Sequence, residues 1–136
     1  MVDKRQFTFS KKERLCGKTR IEKIFYSGDA FLSYPFRVIV LSRESESDGE
    51  VPSLLISIPK KRLKKAVDRN RMKRLTREAY RLNKSILIES LTDDKTVDIA
   101  LIYVGDKLQP YAVVEKGVVR ALCGISKRLN NSNEPS

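Results

Sequence analysis

The sequence contains no histidine and no tryptophan. Lack of histidine removes the commonest general base and the commonest transition-metal ligand, which lowers the expectation of independent catalysis. Only two cysteines occur, Cys16 and Cys123. They lie far apart and match no zinc or redox spacing, so each reads as a small buried or incidental thiol of a reducing compartment. No apolar run approaches membrane-spanning length, and the opening residues, MVDKRQFTFSKKER, lack the apolar core of a signal peptide. These absences set aside a disulfide scaffold, a zinc protein and a membrane span. They lead to the expectation of a cytoplasmic protein with no membrane partner.

What is present is charge of one sign, in one place. The chain carries 28 Lys and Arg against 17 Asp and Glu, a net charge of +11. Twelve of those bases lie between Lys60 and Lys84, in KKRLKKAVDRNRMKRLTREAYRLNK, with two acids, Asp68 and Glu78. That stretch holds +10, and the remaining sixteen bases and fifteen acids leave +1 for everything else. Localised charge at this density answers a dense array of phosphates.

Periodicity sharpens the assignment. On a helical wheel with Arg69 at zero, Met72, Leu75, Ala79, Leu82 and Ile86 fall between about 220° and 300°. Asn70, Lys73, Arg74, Arg77 and Arg81 fall between about 40° and 140°, on the opposite side. An ordinary solvated helix face would interleave Glu with Lys at i, i+4 for support. Here only Glu78 interrupts the bases. A helix that repels itself along one face points to an anionic partner. A membrane surface is a weaker fit, because the apolar face is modest and includes Ala and Met.

The length of 136 residues suits one domain with a single core. Residues 1–14 are expected to be a flexible basic N-terminus, 15–129 a single RNA-binding α+β domain, and 130–136 a disordered tail. Within the domain, a short helix is expected from Lys18 to Tyr26, with Gly28 as its stop. Phe31 to Leu41 and Ser53 to Ile58 read as strands, separated by the acidic loop ESESDGEVP. The basic helix follows, roughly Lys65 to Ser85, then a loop over Thr92–Thr96. VDIALIYV, Val97 to Val104, reads as a buried strand, and Pro110 suits the first turn of a last helix. The core face of that helix is marked by Tyr111, Val114, Val118, Leu122, Ile125 and Leu129. The order α-β-β-α-β-α implies a small α+β sandwich, with helices packed on a central sheet. The generic rule would make a β-α-β crossover right-handed.

The sharpest local motif is Arg69-Asn70-Arg71, continued as Met72-Lys73-Arg74-Leu75-Thr76-Arg77. Arginine binds phosphate oxygens bidentately and stays charged; asparagine adds a neutral donor and acceptor. Three successive residues fan over about 200° of a helix, so one helix can touch phosphates on two sides. With Lys65 just before it, this segment is the expected RNA-binding surface.

The run KKRLKKAVDRNRMKRLTREAY resembles the signature of the bacterial ribonuclease P protein subunit. The entry R-x-x-K-T-R-I-E-K-I-F-Y-S-G and the order of elements are similar to that family as well, from roughly Leu15 to Leu129. The resemblance implies a subunit that binds a large catalytic RNA, which with Mg²⁺ removes the 5′ leader of precursor tRNA. The chemistry and the Mg²⁺ would belong to the RNA and substrate, with no catalytic residue in the protein. The signature assigns Arg69, Asn70, Arg71, Lys73, Arg74 and Arg77 to the catalytic RNA, with Lys61 and Arg62 as a preceding basic pair. The family's β-α-β crossover is left-handed, contrary to the generic rule. Its first helix and sheet form a cleft for the single-stranded leader, for which Phe25, Phe36 and Ile21 are the candidates here. Phe25 and Phe36 could equally be core, while Tyr80 and Tyr103 fit core or sheet packing better than base stacking. Two positions depart from the pattern: Lys64 stands where Gly is frequent, and Ile21 where a second aromatic is frequent. The protein is expected to be monomeric without RNA.

The competing readings are a ribosomal or RNA-chaperone module with no role in cleavage, and a stand-alone Mg²⁺ nuclease. The second needs converging carboxylates. Asp68 and Glu78 are apart on the wheel, and Asp93, Asp94 and Asp98 sit around a loop and strand start.

Overall fold

Pro35 stands in the middle of the segment expected to be one strand, and proline cannot sit inside a ladder. The computed structural model, which describes residues 18–45, 50–92 and 94–133 and side chains through 130, resolves the conflict with a hairpin. Strand β1 (Asp29–Ser33) turns at Tyr34–Pro35, a cis peptide, into β2 (Phe36–Glu44). The two pair antiparallel, with Phe31 opposite Val38 and Ser33 opposite Phe36. The single strand expected over Phe31 to Leu41 is therefore two.

Strands β3 (Ser53–Ser57) and β4 (Lys95–Tyr103) complete a sheet of order β1-β2-β4-β3. β4 pairs antiparallel with β2 and parallel with β3. Central β4 is buried on both faces, which is why VDIALIY reads as a continuous apolar run. The strand begins at Lys95, so the expected loop is shorter. Helices are α1 (Lys18–Ser27), α2 (Ala66–Asn83), a single turn α3 (Ser85–Ile88), and α4 (Tyr111–Asn133). The α+β class and the β3-α2-β4 crossover unit agree with the sequence. Hairpin β1 and turn α3 are additions. The helical backbone also continues through Asn130–Asn133, where a disordered tail was expected; residues 1–14 and 134–136 lie outside the described residues.

Register divides the sheet into two faces. Phe36, Val38, Val40, Leu54, Val97, Ile99, Leu101 and Tyr103 point to one side, into a core shared with Met72, Ala79 and Tyr80 of α2 and Val114, Val118, Leu122 and Ile125 of α4. Ile39 and Ala100 point to the other side, where Ile24 of α1 covers them and Ile21, Leu41, Leu55 and Ile102 pack around. Among the described residues, no helix is long and apolar enough to cross a membrane.

The core face of α2 is not the one the wheel selects. Met72 and Ala79 are buried, but Thr76 and Tyr80 are fully buried too, while Leu82 is 42% exposed and Ile86 belongs to α3. Leu75 is half-buried against the core. The helix is thus turned by roughly 60° from the hydrophobicity-based orientation. Thr76 tolerates burial because its hydroxyl donates to the Met72 carbonyl at 2.7 Å.

Two close approaches hold helices to the sheet. A Cβ on Gly28 would lie 2.5 Å from the Ile24 carbonyl oxygen and 2.7 Å from Ile39 Cγ2. The end of α1 can therefore press on β2. A Cβ on Gly117 would lie 2.7 Å from both Pro35 Cδ and the Tyr34 carbonyl oxygen, and Ser33 Oγ donates to the Gly117 carbonyl at 2.7 Å. Gly117→Ala is expected to destabilise the protein by about 1–3 kcal/mol, because backbone must shift to admit the methyl. Gly124→Ala meets side chains alone, the Phe31 ring at 3.0 Å and Arg128 Nη1 at 3.8 Å, and should cost less. Paired denaturant titrations of the two variants check this ordering.

Candidate nucleic-acid interface

The segment before α2 is shaped by its own backbone. Leu63 is buried, and the N–H groups of Arg62 and Leu63 donate to the Pro59 carbonyl at 3.0 and 3.3 Å. No non-glycine residue among those described has a positive φ, so Lys64 occupies the position of the frequent glycine without backbone strain. Lys65 is the N-cap of α2 and makes no side-chain capping bond. The turn is instead braced from inside the helix. Arg69 Nη1 donates to the carbonyls of Leu63 and Lys64 at 2.9 and 2.8 Å. The first arginine of the triplet therefore has a structural task that its charge alone does not reveal.

The rotation of α2 decides which bases face out. Lys61, Lys65, Asn70, Arg71 and Arg74 are exposed, and Arg62, Lys73 and Arg77 are half-buried along the flanks. All nine residues assigned to RNA from the sequence thus lie on α2 or the turn leading into it. Glu78, the one acid on this outward surface, is bound by Arg81 at 2.6 Å. That hydrogen bond lowers the Glu78 pKa and raises that of Arg81. The pair is i, i+3 and self-contained, so among the described residues Arg71, Lys73, Arg74 and Arg77 form no ion pair along the helix.

Opposite the turn stands the β4–α4 loop. Together they bound an open groove of about 490 Å³, lined by Lys61, Arg62, Lys64 and Lys65 on one side and Asp106 and Lys107 on the other. The Tyr103 hydroxyl donates to the Lys107 carbonyl, folding the loop back on the strand end. Burial pushes the Tyr103 pKa up to about 12, so the hydroxyl keeps its proton at neutral pH.

On the far face of the sheet, α1 is fixed by a mostly buried ion cluster. Asp98, 3% exposed, accepts from Arg20 of α1 at 2.7 Å and from Arg43 of β2 at 3.1 Å. Arg20 also reaches Ser53 Oγ at 3.1 Å, and Arg43 binds Glu50 at 2.6 Å. Burial works against the Arg43 charge, but Glu50 and Asp98 more than offset it and raise its pKa. Beyond this anchor the sheet is only partly covered. Register sets Leu32, Arg37, Ile102 and Ser57 in one row across the four strands, with Leu32 and Arg37 exposed.

The three leader-cleft candidates separate here. Phe25 is 49% exposed at the flank of α1. Phe36 is fully buried, edge-to-face with Tyr103 at 6.0 Å between centroids, and so is core and no base platform. Ile21 is half-buried in the small cluster under α1. Tyr26, 89% exposed, was passed over, although it falls about 200° from Ile24 on a wheel and so had to point outward. Lys107 gave no such sign, because its placement depends on how the loop folds back on the end of β4. Among the described residues, no three acidic or cysteine side chains converge as a metal site.

Comparison with known proteins agrees with this geometry. The family model described as Ribonuclease P matches residues 9–122. The ribonuclease P protein component of Porphyromonas gingivalis ATCC 33277 is 40% identical over 133 residues, spanning 97% of this chain and 96% of the relative. That of Chlorobaculum tepidum is 38% identical over 97 residues, 69% of this chain and 62% of the relative. Among solved structures, the RNase P protein of Thermotoga maritima, in complex with 1-(4-fluorophenyl)-2-thiourea, superposes with a TM-score of 0.63 at 26% identity, covering 81% of this chain and 97% of that one. The Staphylococcus aureus RNase P protein shares the fold, with a TM-score of 0.65 at 24% identity over 86% of this chain and 97% of that one. With a basic signature helix set outward on a shared fold and a match along most of its length, the chain belongs to the ribonuclease P protein family.

Proposed function

We propose that this protein binds the catalytic RNA of ribonuclease P through the outward face of α2, and holds the 5′ leader of precursor tRNA beside α1. Hydrolysis of the leader is then carried out by the RNA with Mg²⁺. The protein supplies binding energy and position. The observation that carries this reading is the outward cation row of Arg71, Arg74 and their neighbours, on a helix whose opposite face is sealed into the core. The backbone of such a surface is fixed by the core, so ordering on phosphate binding is confined to the side chains. The deeply buried carboxylate of the far sheet face, Asp98, is already engaged by Arg20 and Arg43. That supports assigning Mg²⁺ to the RNA and substrate. The free protein is taken as a monomer.

The leader site is narrower than the sequence suggested. Phe25 and Tyr26 are the exposed aromatics of α1, and Arg37 lies exposed on the sheet face that α1 leaves partly open. Aromatic platforms beside positive charge hold single strands, at about 1–3 kcal/mol per stacked base. As substrate and product of leader removal, precursor and mature tRNA share the folded body and differ in the 5′ leader. A module that merely stabilised folded RNA would bind both alike.

Arg71→Ala is expected to weaken binding to the catalytic RNA, and to reduce the log–log salt slope by about 0.7–0.9 for the lost phosphate contact. Its circular dichroism spectrum and melting temperature should match the parent, since Arg71 is exposed.

Phe25→Ala and Tyr26→Ala should shrink the precursor-to-mature affinity ratio of the reconstituted complex and leave assembly intact. Phe36→Ala should act differently, costing about 3–5 kcal/mol of folding stability. Equal ratios with and without protein would assign the chain to the RNA-stabilising alternative.

RNA-free protein mixed with precursor tRNA and Mg²⁺ is expected to give no site-specific cleavage. Cleavage that survives removal of RNA and vanishes on mutating a carboxylate would locate the chemistry in the protein.

A further inference from the structure

The groove between the β3–α2 turn and the β4–α4 loop has two walls from distant parts of the chain. Five cations line it, Lys61, Arg62, Lys64, Lys65 and Lys107, against two acids, Asp68 and Asp106. Its apolar lining is Leu63 and Leu108, and no aromatic ring faces it. The groove therefore suits a sugar-phosphate backbone better than a base, which would need a stacking partner. It is also too open, with no converging buried donors, to enclose a free nucleotide.

Both walls are built rather than incidental. Arg69 ties the Leu63 and Lys64 carbonyls to α2, and so fixes the lysine-bearing turn. The Tyr103 hydroxyl ties the Lys107 carbonyl to the end of β4. Gly105 makes that fold-back possible, because a Cβ there would lie 2.7–3.1 Å from the Tyr103 hydroxyl and ring. The groove is continuous with the outward surface of α2, since Lys64 and Lys65 lead directly into the helix.

We propose that this groove is a phosphodiester-binding site for the same catalytic RNA that α2 contacts, with Lys107 as its contact from the far wall. The inference rests on the RNA-binding reading above. It adds a strand path that leaves the helix, crosses the turn and is gripped from the opposite loop. Asp106, beside Lys107, sets the sign of a second effect: it repels phosphate and tempers the site.

The test compares the affinity of full-length parent, Lys107→Ala, Asp106→Asn and Lys116→Ala proteins for ribonuclease P RNA across a salt series. Lys107 and Asp106 are exposed, and so is Lys116 on α4, outside the groove, which makes it the charge-matched control. Lys107→Ala should weaken binding roughly two- to fivefold at moderate salt, as one exposed ion pair does. It should also lower the salt slope by about 0.7–0.9. Asp106→Asn should tighten binding, and Lys116→Ala should change neither quantity. If Lys107→Ala matches the parent, or only as much is lost with Lys116→Ala, the site is refuted. If Lys107→Ala leaves binding to the catalytic RNA intact and lowers only the precursor-to-mature ratio, the groove holds leader, and the assignment made here is overturned. Failure of the parent itself to bind the RNA would defeat the underlying functional reading instead.

Discussion

Burial of Met72, Thr76, Ala79 and Tyr80 in the core that α2 shares with α4 and the sheet is the constraint on which the rest of the molecule depends. A helix with Arg71, Lys73, Arg74 and Arg77 and only one outward acid repels itself, and has little intrinsic support from charge pairs. Its stability comes from tertiary packing. That packing fixes the azimuth of the helix, and the azimuth decides which cations face outward. The placement of Thr76 is informative. A buried hydroxyl satisfied by its own backbone lets the helix turn toward Tyr80, and the same rotation swings Arg71 and Arg74 to the crest. The core and the outward row of cations are thus set by one angle.

A second tie governs the opposite face. α1 is short and buries one residue fully, Ile24. Its position over the sheet is defined by that contact, by Gly28 against Ile39, and by Arg20 on Asp98. Asp98 also holds Arg43, so first helix, second strand and fourth strand converge on one carboxylate. Replacing a buried pair by apolar residues is often neutral, but losing one partner strands the others. The polar anchor therefore specifies where α1 sits more than how stable the fold is. The open row of Leu32, Arg37, Ile102 and Ser57 takes its boundary from that placement.

Elements with a strong period were legible in the sequence. β4, α4 and the extent of α2 followed from apolar patterning, and the charge of Lys60 to Lys84 marked the candidate interface without any structure. What was not legible depended on long-range contacts. The wheel set Leu82 on the buried face and left Tyr80 off it; Tyr80 is buried, as its reading as core and not base platform expects, and only tertiary packing shows how far the helix turns to admit the ring. Phe31 to Leu41 looked like one strand until Pro35 was weighed against the ladder it would interrupt. Phe36 and Phe25 were indistinguishable as residues, and strand register separated them into core and surface. Arg69 read as a phosphate ligand because its two carbonyl acceptors lie in the preceding turn, whose backbone path no local pattern reveals.

The proposal on which the function rests is that the outward crest of α2, and not the exposed face of α4, lies against the catalytic RNA. A photo-crosslinking side chain introduced at position 74 on α2, and in a separate protein at position 120 on α4, tests it directly. Both positions are exposed and both carry arginine, so the substitutions are matched in charge and accessibility. The account predicts efficient crosslinks to the catalytic RNA from position 74 and background levels from position 120. Crosslinking from position 120 with none from position 74 would contradict it.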